Sequence, residues 1–485
     1  MADDEVPHVQ FRDKENLLPD STERISLLSD QSRIDPSKVR NGFLYVTTLI
    51  VLQGSLVMGL AIGYTSPAQP KMSGFMTDSQ YTWFGSLLNV GAIVGGPLAG
   101  YLLQVAGRKV TIMASCVPFV AGWVLIGTSE IIMCLYAGRV LTGVGAGMIS
   151  LAVPNYISEV ATPNLRGFLG SSFQVSVTVG ILLVYCIGIP LTYYWLALTG
   201  GAMAVLLAMT STIIPETPRF LLIRHLRAEA SYVLRKLRGP FIDVDIECRE
   251  IEDALDNSDE KFSWIEFSQP TLYKPLVISL VLMFVQQFSG INAVMFYTVS
   301  IFQTAEPSMN PNIPTVIVGG VQVLFTCVAA VLMDRMGRKL LLIVGAIGMA
   351  VSAITFGLYY ELTDIYPDQT DKFSPMSLVS IIVYIISFSL AWGPIPWLIM
   401  SEIFPSKAKG AASGIATAFN WTCSFIITKE FQDMEVTFTK QGIFWFFGGI
   451  CLLGGVFVAL VVPETKGRSL EEIEASFARN ESQSR

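Results

Sequence analysis

Charge is what this chain has least of. Only 15% of its 485 residues are Asp, Glu, Lys or Arg, against about 25% in soluble domains. A water-facing surface over most of the length is thereby excluded. Histidine is scarcer still. The only two, His8 and His225, lie in polar stretches, so no metal site or histidine base is expected at an apolar segment. Seven cysteines are scattered and never spaced as CxxC; they read as free thiols. Neither GxxxxGK[ST] nor GxGxxG after a strand occurs, which argues against a nucleotide-hydrolysing motor. Residues 1–41 lack the apolar core of a signal peptide and read as a polar, disordered tail.

What the chain has instead is apolar length. It is 52% hydrophobic, with a mean hydropathy of +0.54. Runs of about 20 residues with few charges can each cross a bilayer. They recur at 43–64, 82–103, 109–129, 131–154, 168–190, 194–214, 275–299, 313–333, 339–360, 376–400, 409–430 and 440–462. The period-two alternation of an outer-membrane barrel is missing. The expected fold is therefore an all-α membrane protein with twelve transmembrane helices. Lys and Arg gather after the even-numbered spans (Arg108, Lys109, Arg166, Arg335, Arg338, Lys339, Lys407, Lys409), while Asp364, Asp368 and Asp371 follow the ninth. The positive-inside rule places both termini and segment 215–274 in the cytosol.

The chain also repeats itself. GRK at 107–109 returns at 337–339, SEVATPNLRG at 158–167 as SEIFPSKAKG at 401–410, and PET at 215–217 at 463–465. Each marker follows the same span of its half, which implies two six-helix halves of equal orientation. The organisation is a cytosolic tail (1–41), an N-terminal half (42–214), a cytosolic helical linker (215–274), a C-terminal half (275–463) and a second tail (464–485). In such folds the substrate site lies near mid-membrane, between the halves.

The stretch QQFSGINAVMFYT at 286–298 places amides inside an apolar run. A carboxamide both donates and accepts hydrogen bonds, and it avoids the cost of a charge at depth. In a straight helix Gln286 and Asn292 lie about 120° apart and cannot share one ligand. The Ser289-Gly290 pair between them predicts a broken span. Gly393, Pro394 and Pro396 predict a second break in the tenth run.

Six motifs carry a family resemblance: GRVLTGVGAG (138–147), PETPRFLL (215–222), QQFSGINAVMFYT, DRMGRK (334–339), GPIPWLIMSEIFP (393–405) and VPETKGRSL (462–470). The chain from about 40 to 470 resembles the sugar porter family of the major facilitator superfamily. Within it, the chain is most similar to the intracellular (class III) facilitative glucose transporters of animals and to facilitated trehalose transporters. The resemblance implies facilitative transport of a sugar by alternating access, glucose or another hexose foremost, with no enzyme activity and no cofactor. Trehalose or another disaccharide, proton-coupled symport and a non-transporting sensor are the alternatives. The implied substrate-binding residues are Gln174, Gln286, Gln287, Asn292, Gln322, Trp397 and Asn420. Gln53 and Asn89 read instead as interhelical bridges. Tyr297 and Phe388 resemble the family's gating aromatics, with Gly393, Pro394 and Pro396 as hinge. Proton-coupled members carry an Asp where Ala61 stands, working with the counterpart of Arg139, so uniport is implied here.

Resemblance also makes Arg108, Glu159, Arg166, Arg338, Glu402 and Lys409 a cytosolic salt-bridge network that breaks on inward opening. Where the second copy has Asp334-Arg335, the first has Gln104, Val105 and Ala106, so the first junction is expected to be the weaker. In the tail, DKENLL and ERISLL fit an acidic dileucine pattern. Leu17, Leu18, Leu27 and Leu28 are thereby expected to recruit clathrin adaptors and to hold the carrier in endosomal or lysosomal membranes, with the plasma membrane as alternative. The expected partners are thus a sugar, the lipid bilayer and adaptor proteins; no nucleic-acid signature is seen.

Overall fold

The structure is a computed structural model that describes residues 40–240, 243–256, 269–305, 312–404 and 408–466. Leu17, Leu18, Leu27 and Leu28 lie outside the described residues. Among the described residues there is no strand.

The first half comprises α1 (Gly42–Gly63) with its short continuation α2 (Thr65–Met72), α3 (Asp78–Val105), α4 (Arg108–Thr128), α5 (Ile132–Val160), α6 (Pro163–Gly188) and α7 (Tyr193–Thr210). The linker forms α8 (Pro218–Ile223), α9 (Arg227–Arg238) and α10 (Val244–Asp256). The second half comprises α11 (Pro270–Phe288), α12 (Ile291–Ala305), α13 (Asn312–Met336), α14 (Arg338–Ile365), α15 (Thr370–Ser387), a π-helical turn at Phe388–Trp392, α16 (Ile395–Ile403) and α17 (Lys409–Val461).

Among the described residues, eleven helical segments are long and apolar enough to cross a membrane. The last, Gly410–Val461, bends at Thr439, where φ is 66° and ψ 165°. A straight helix of that length would reach about 78 Å, far more than one bilayer core. The runs at 409–430 and 440–462 thus share α17 as two limbs.

Small residues set the packing of the first half. A Cβ on Gly91 of α3 would lie 2.0 Å from the Val140 carbonyl oxygen of α5, and one on Gly143 would lie 2.0 Å from that of Leu88. Between lipid-immersed helices such close backbone approach gives the van der Waals contact that a hydrophobic effect cannot. The halves meet along two long seams, α3 against α17 and α6 against α13, with α2 packed on α12.

The sequence repeat is also a repeat of bonds. Gly107 (φ 96°) and Gly337 (φ 87°) start α4 and α14 in a backbone conformation that L side chains resist. A PET glutamate caps each start. Glu216 accepts from the Arg108 and Lys109 backbone N–H groups at 2.9 and 3.0 Å, and Glu464 from those of Arg338 and Lys339, both at 3.0 Å. Both carboxylates sit where the helix leaves N–H groups unpaired and its dipole favours negative charge.

The linker is tied to the first half. Arg238 of α9 pairs with Glu247 of α10 at 2.7 Å and donates to the Val160 carbonyl at the end of α5, also at 2.7 Å. Ala230, Val233, Leu234 and Leu237 form the buried face of α9, the amphipathic helix that the sequence indicates.

Candidate substrate site

The seventh run is broken where its sequence suggests. α11 ends at Phe288, and Gly290 has φ 93°. A Cβ there would also fall 2.4 Å from the Phe447 ring. The break exposes the Ser289 carbonyl, and the Tyr384 hydroxyl donates to it at 2.8 Å.

The turn brings the amides together. Asn292 Nδ2 donates to Gln287 Oε1 at 2.6 Å, a contact a straight helix does not permit. Gln287 Nε2 donates to Asn420 Oδ1 at 3.0 Å, and Asn420 Nδ2 to Gln286 Oε1 at 2.8 Å. Gln286 Nε2 then donates to the Trp392 carbonyl at 2.7 Å and to that of Gly393 at 3.1 Å. The last step has a backbone cause. In an unbroken helix the Trp392 carbonyl would accept from residue 396, but Pro396 has no N–H. Gln286 fills the vacancy, so the breaks of the seventh and tenth runs are stitched to each other. The π turn supplies the other side of that second break, with the Gly393 N–H donating to the Phe388 carbonyl at 2.8 Å.

Not every residue expected at the site joins this chain. Gln322, on α13, is 4% exposed and its Oε1 has no hydrogen-bond partner. Gln174 on α6 and Trp397 on α16 are half-buried and stand outside the chain. Phe388 is buried in the π turn; the Tyr297 side chain lies outside the described residues. The chain does include Ser424, which sequence reasoning passed over. Asn292 Nδ2 donates to Ser424 Oγ at 2.6 Å. Asn420, Ser424 and Thr428 recur every four residues, one polar stripe on a helix, and that spacing could have revealed it.

Gln53 accepts from Thr210 Oγ1 at 3.0 Å, between α1 and α7. Arg139, fully buried in α5, donates to the Ala61 carbonyl at 3.0 Å, Thr65 Oγ1 at 2.7 Å and the Phe84 carbonyl at 3.2 Å. Its guanidinium also faces the Phe84 and Tyr64 rings, at 5.1 and 5.9 Å from their centroids. Neutral oxygens and rings surround this cation.

The described charge pairs at the GRK end each lie within one half. Arg108 pairs with Glu159 at 2.7 Å and Arg338 with Glu402 at 3.2 Å, each inside its own half. The second oxygen of each glutamate accepts from the PET threonine, Thr217 or Thr465, at 2.7 and 2.6 Å. Helix pairs of one half meet here, so the carboxylates are satisfied without the other half. The first junction is complete despite Gln104, Val105 and Ala106. Arg166 is exposed, outside both pairs, and the Lys409 side chain lies outside the described residues. Burial pushes the Glu216 carboxyl above its ordinary range against the pull of its N–H donors; at Glu464 burial also pushes upward, but the donors outweigh it and hold the carboxyl below.

Two helical halves related by a repeat, with a buried amide chain between broken helices, define a multi-pass membrane carrier of the major facilitator fold. A family model described as "Sugar (and other) transporter" matches residues 40–477. The chain belongs to this sugar porter family and is a transporter, not an enzyme. It is 39% identical over 456 residues to the facilitated glucose transporter member 8 of solute carrier family 2 from Mus musculus, covering 90% of this chain and 94% of that one. It is 41% identical over 426 residues to the facilitated trehalose transporter Tret1 of Bombyx mori, covering 87% and 84%. Against Tret1 of Anopheles gambiae, identity is 39% over 438 residues, 88% of this chain but only 55% of the longer relative. The inward-open xylose transporter XylE from E. coli superposes with a TM-score of 0.73 at 27% identity, covering 88% and 98%. The proton:xylose symporter XylE bound to 6-bromo-6-deoxy-D-glucose gives 0.76, also at 27%, covering 90% and 100%.

Proposed function

We propose that this carrier moves a hexose, glucose foremost, by facilitated diffusion, with Gln286, Gln287, Asn292 and Asn420 holding its hydroxyls. The observation that carries this reading is the hydrogen-bonded amide chain at the Gly290 break. The amides satisfy one another, and a sugar exchanges those bonds for its own. Binding is thereby weak enough for release. Gln174, Gln322 and Trp397 complete the site, the indole offering an apolar sugar face a stacking surface.

Uniport is supported by Arg139. A proton relay needs a titratable acid, and this arginine is held by the Ala61 carbonyl, with no carboxylate at position 61. Alternating access is supported by the hydrogen bonds that cross between the halves. Val299 N–H to Ser66 Oγ, Tyr185 hydroxyl to the Met295 carbonyl, and Thr82 with Gln432 all lie toward the end away from the GRK motifs. With the GRK end in the cytosol, this arrangement is closed to the outside. Trehalose is the second reading, favoured by the Tret1 relatives. The tail signals at Leu17, Leu18, Leu27 and Leu28 would recruit clathrin adaptors and keep the carrier in endosomal or lysosomal membranes.

Counterflow of labelled glucose, fructose and trehalose into liposomes holding the purified protein, with and without a protonophore, tests this. Glucose should flow fastest, and collapse of a proton gradient should leave the rate unchanged. Uptake abolished by the protonophore overturns uniport; faster trehalose counterflow replaces hexose by disaccharide.

A further inference from the structure

The polar chain does not end within the second half. Ser424 Oγ accepts from Asn292 and gives its own single proton to Asn89 Oδ1 at 3.0 Å. Asn89 Nδ2 donates to Thr428 Oγ1 at 2.9 Å, and Thr428 Oγ1 donates back to the Ser424 carbonyl at 2.8 Å. Asn89 is on α3, in the first half, and is 0% exposed. Ser424 and Thr428 are on α17, in the second. The amide that faces the substrate is therefore one hydroxyl away from the seam between the halves.

An interhelical bridge needs only one such bond. Here the hydroxyl is used in both directions, as acceptor from Asn292 and as donor to Asn89, and hydrogen bonds in series strengthen each other by polarisation. We propose that Asn89 is a positioning residue that couples sugar occupancy to the α3–α17 seam. The proposal rests on the reading of Asn292 as a substrate contact. By donating to it, Asn292 polarises the Ser424 hydroxyl and tightens its bond to Asn89. A sugar oxygen that accepts from Asn292 Nδ2 withdraws that donor from Ser424. The bond across the seam weakens, and α3 and α17 slide more readily. The filled carrier consequently reorients faster than the empty one.

The test compares equilibrium exchange with net uptake into sugar-free liposomes, using whichever of labelled glucose, fructose and trehalose gives the fastest counterflow. In the parent, exchange should exceed net uptake. Asn89→Leu and Ser424→Ala should each lower the exchange-to-net ratio about three- to tenfold, the range of an interhelical hydrogen bond expressed as a rate. The double variant should lower it no further, since both remove one coupled bond. In Asn89→Leu alone, sugar affinity, read by tryptophan quenching, should stay within about twofold, because Asn89 acts through another residue. Asn89→Thr, which keeps a hydrogen-bonding group, should restore part of the ratio and stands in for Asn89→Leu if that variant fails to fold. A parent ratio of one overturns the proposal. So does an unchanged ratio in the variants accompanied only by a lower melting temperature, the sign of a plain bridge. Asn292→Leu separates the two levels of inference. If it keeps the parent affinity, the substrate reading falls and the proposal with it. If it loses affinity while Asn89→Leu keeps the parent ratio, only the proposal falls.

Discussion

The two halves of this carrier share a plan and differ in stiffness. In the first, α3 and α5 touch backbone to backbone at Gly91 and Gly143, and Arg139 ties α5 to α1, α2 and α3. In the second, the runs are interrupted: at Ser289-Gly290 and at the π turn and prolines of 388–396. Chain breaks at membrane depth are tolerated only where other groups take over the freed backbone bonds. Gln286 and Tyr384 do so here. The same repeat has thus given one half with backbone-to-backbone helix contacts and one with breaks stitched by side chains, and the amides sit on the second.

The sharpest way to break this comparison is a pair of glycine substitutions. Gly91→Ala forces a methyl group onto a backbone oxygen that cannot turn aside. It should destabilise the protein by about 3 kcal/mol, the upper part of the overpacking range, and lower the melting temperature in detergent. Gly290→Ala meets a left-handed backbone and the Phe447 ring. It should cost about 1–2 kcal/mol in stability but reduce transport per folded molecule far more than Gly91→Ala does. Equal transport per folded molecule in the two variants would dissolve the distinction between the halves.

A smaller effect is expected at the GRK end. Glu159→Gln and Glu402→Gln each weaken a pair that lies wholly in one half. Each should lower stability by about 1–3 kcal/mol, the cost of leaving a partly buried group short of its partner. Glu159→Gln should cost more, because its ion pair is shorter and its side chain more buried. Access of an impermeant inhibitor from either side should be unchanged. A shift in sidedness would mean that the pairs bias the alternation after all.

The smallest effect is in pH dependence. Glu464 is held below its ordinary value, so its contribution is complete above the unfolded carboxyl pKa of about 4.3 and is lost as pH falls through the depressed value. Glu216 is raised, so its contribution declines as pH rises from about 4.3 through the elevated value. At pH 7 Glu464→Gln should therefore lower the melting temperature more than Glu216→Gln, and the gap should narrow toward pH 4. A gap that widens on acidification would reverse the assignment.

The fold was legible because its causes are local. Twenty-residue apolar runs, basic loop ends and three repeated motifs can be read without knowing what touches what. The Gly290 break was legible for the same reason, since helical geometry alone makes Gln287 and Asn292 diverge. Pairwise destinations were not. Nothing in the spelling of Gln286 says that its Nε2 serves the Trp392 carbonyl left by Pro396, a residue 110 positions away. Arg108 and Arg338 could be placed at helix ends from their motifs, yet only the packing of each half shows that their glutamates are neighbours within it. Asn89 could be read as an interhelical bridge, but not its partners, which belong to a helix more than 300 residues further on.

The bond from Gln286 to the Trp392 and Gly393 carbonyls carries a mechanical consequence. Two independent breaks would give the second half two degrees of freedom. Stitched together they are tied, so that a tilt of either limb must break the Gln286 bonds or carry the other limb with it.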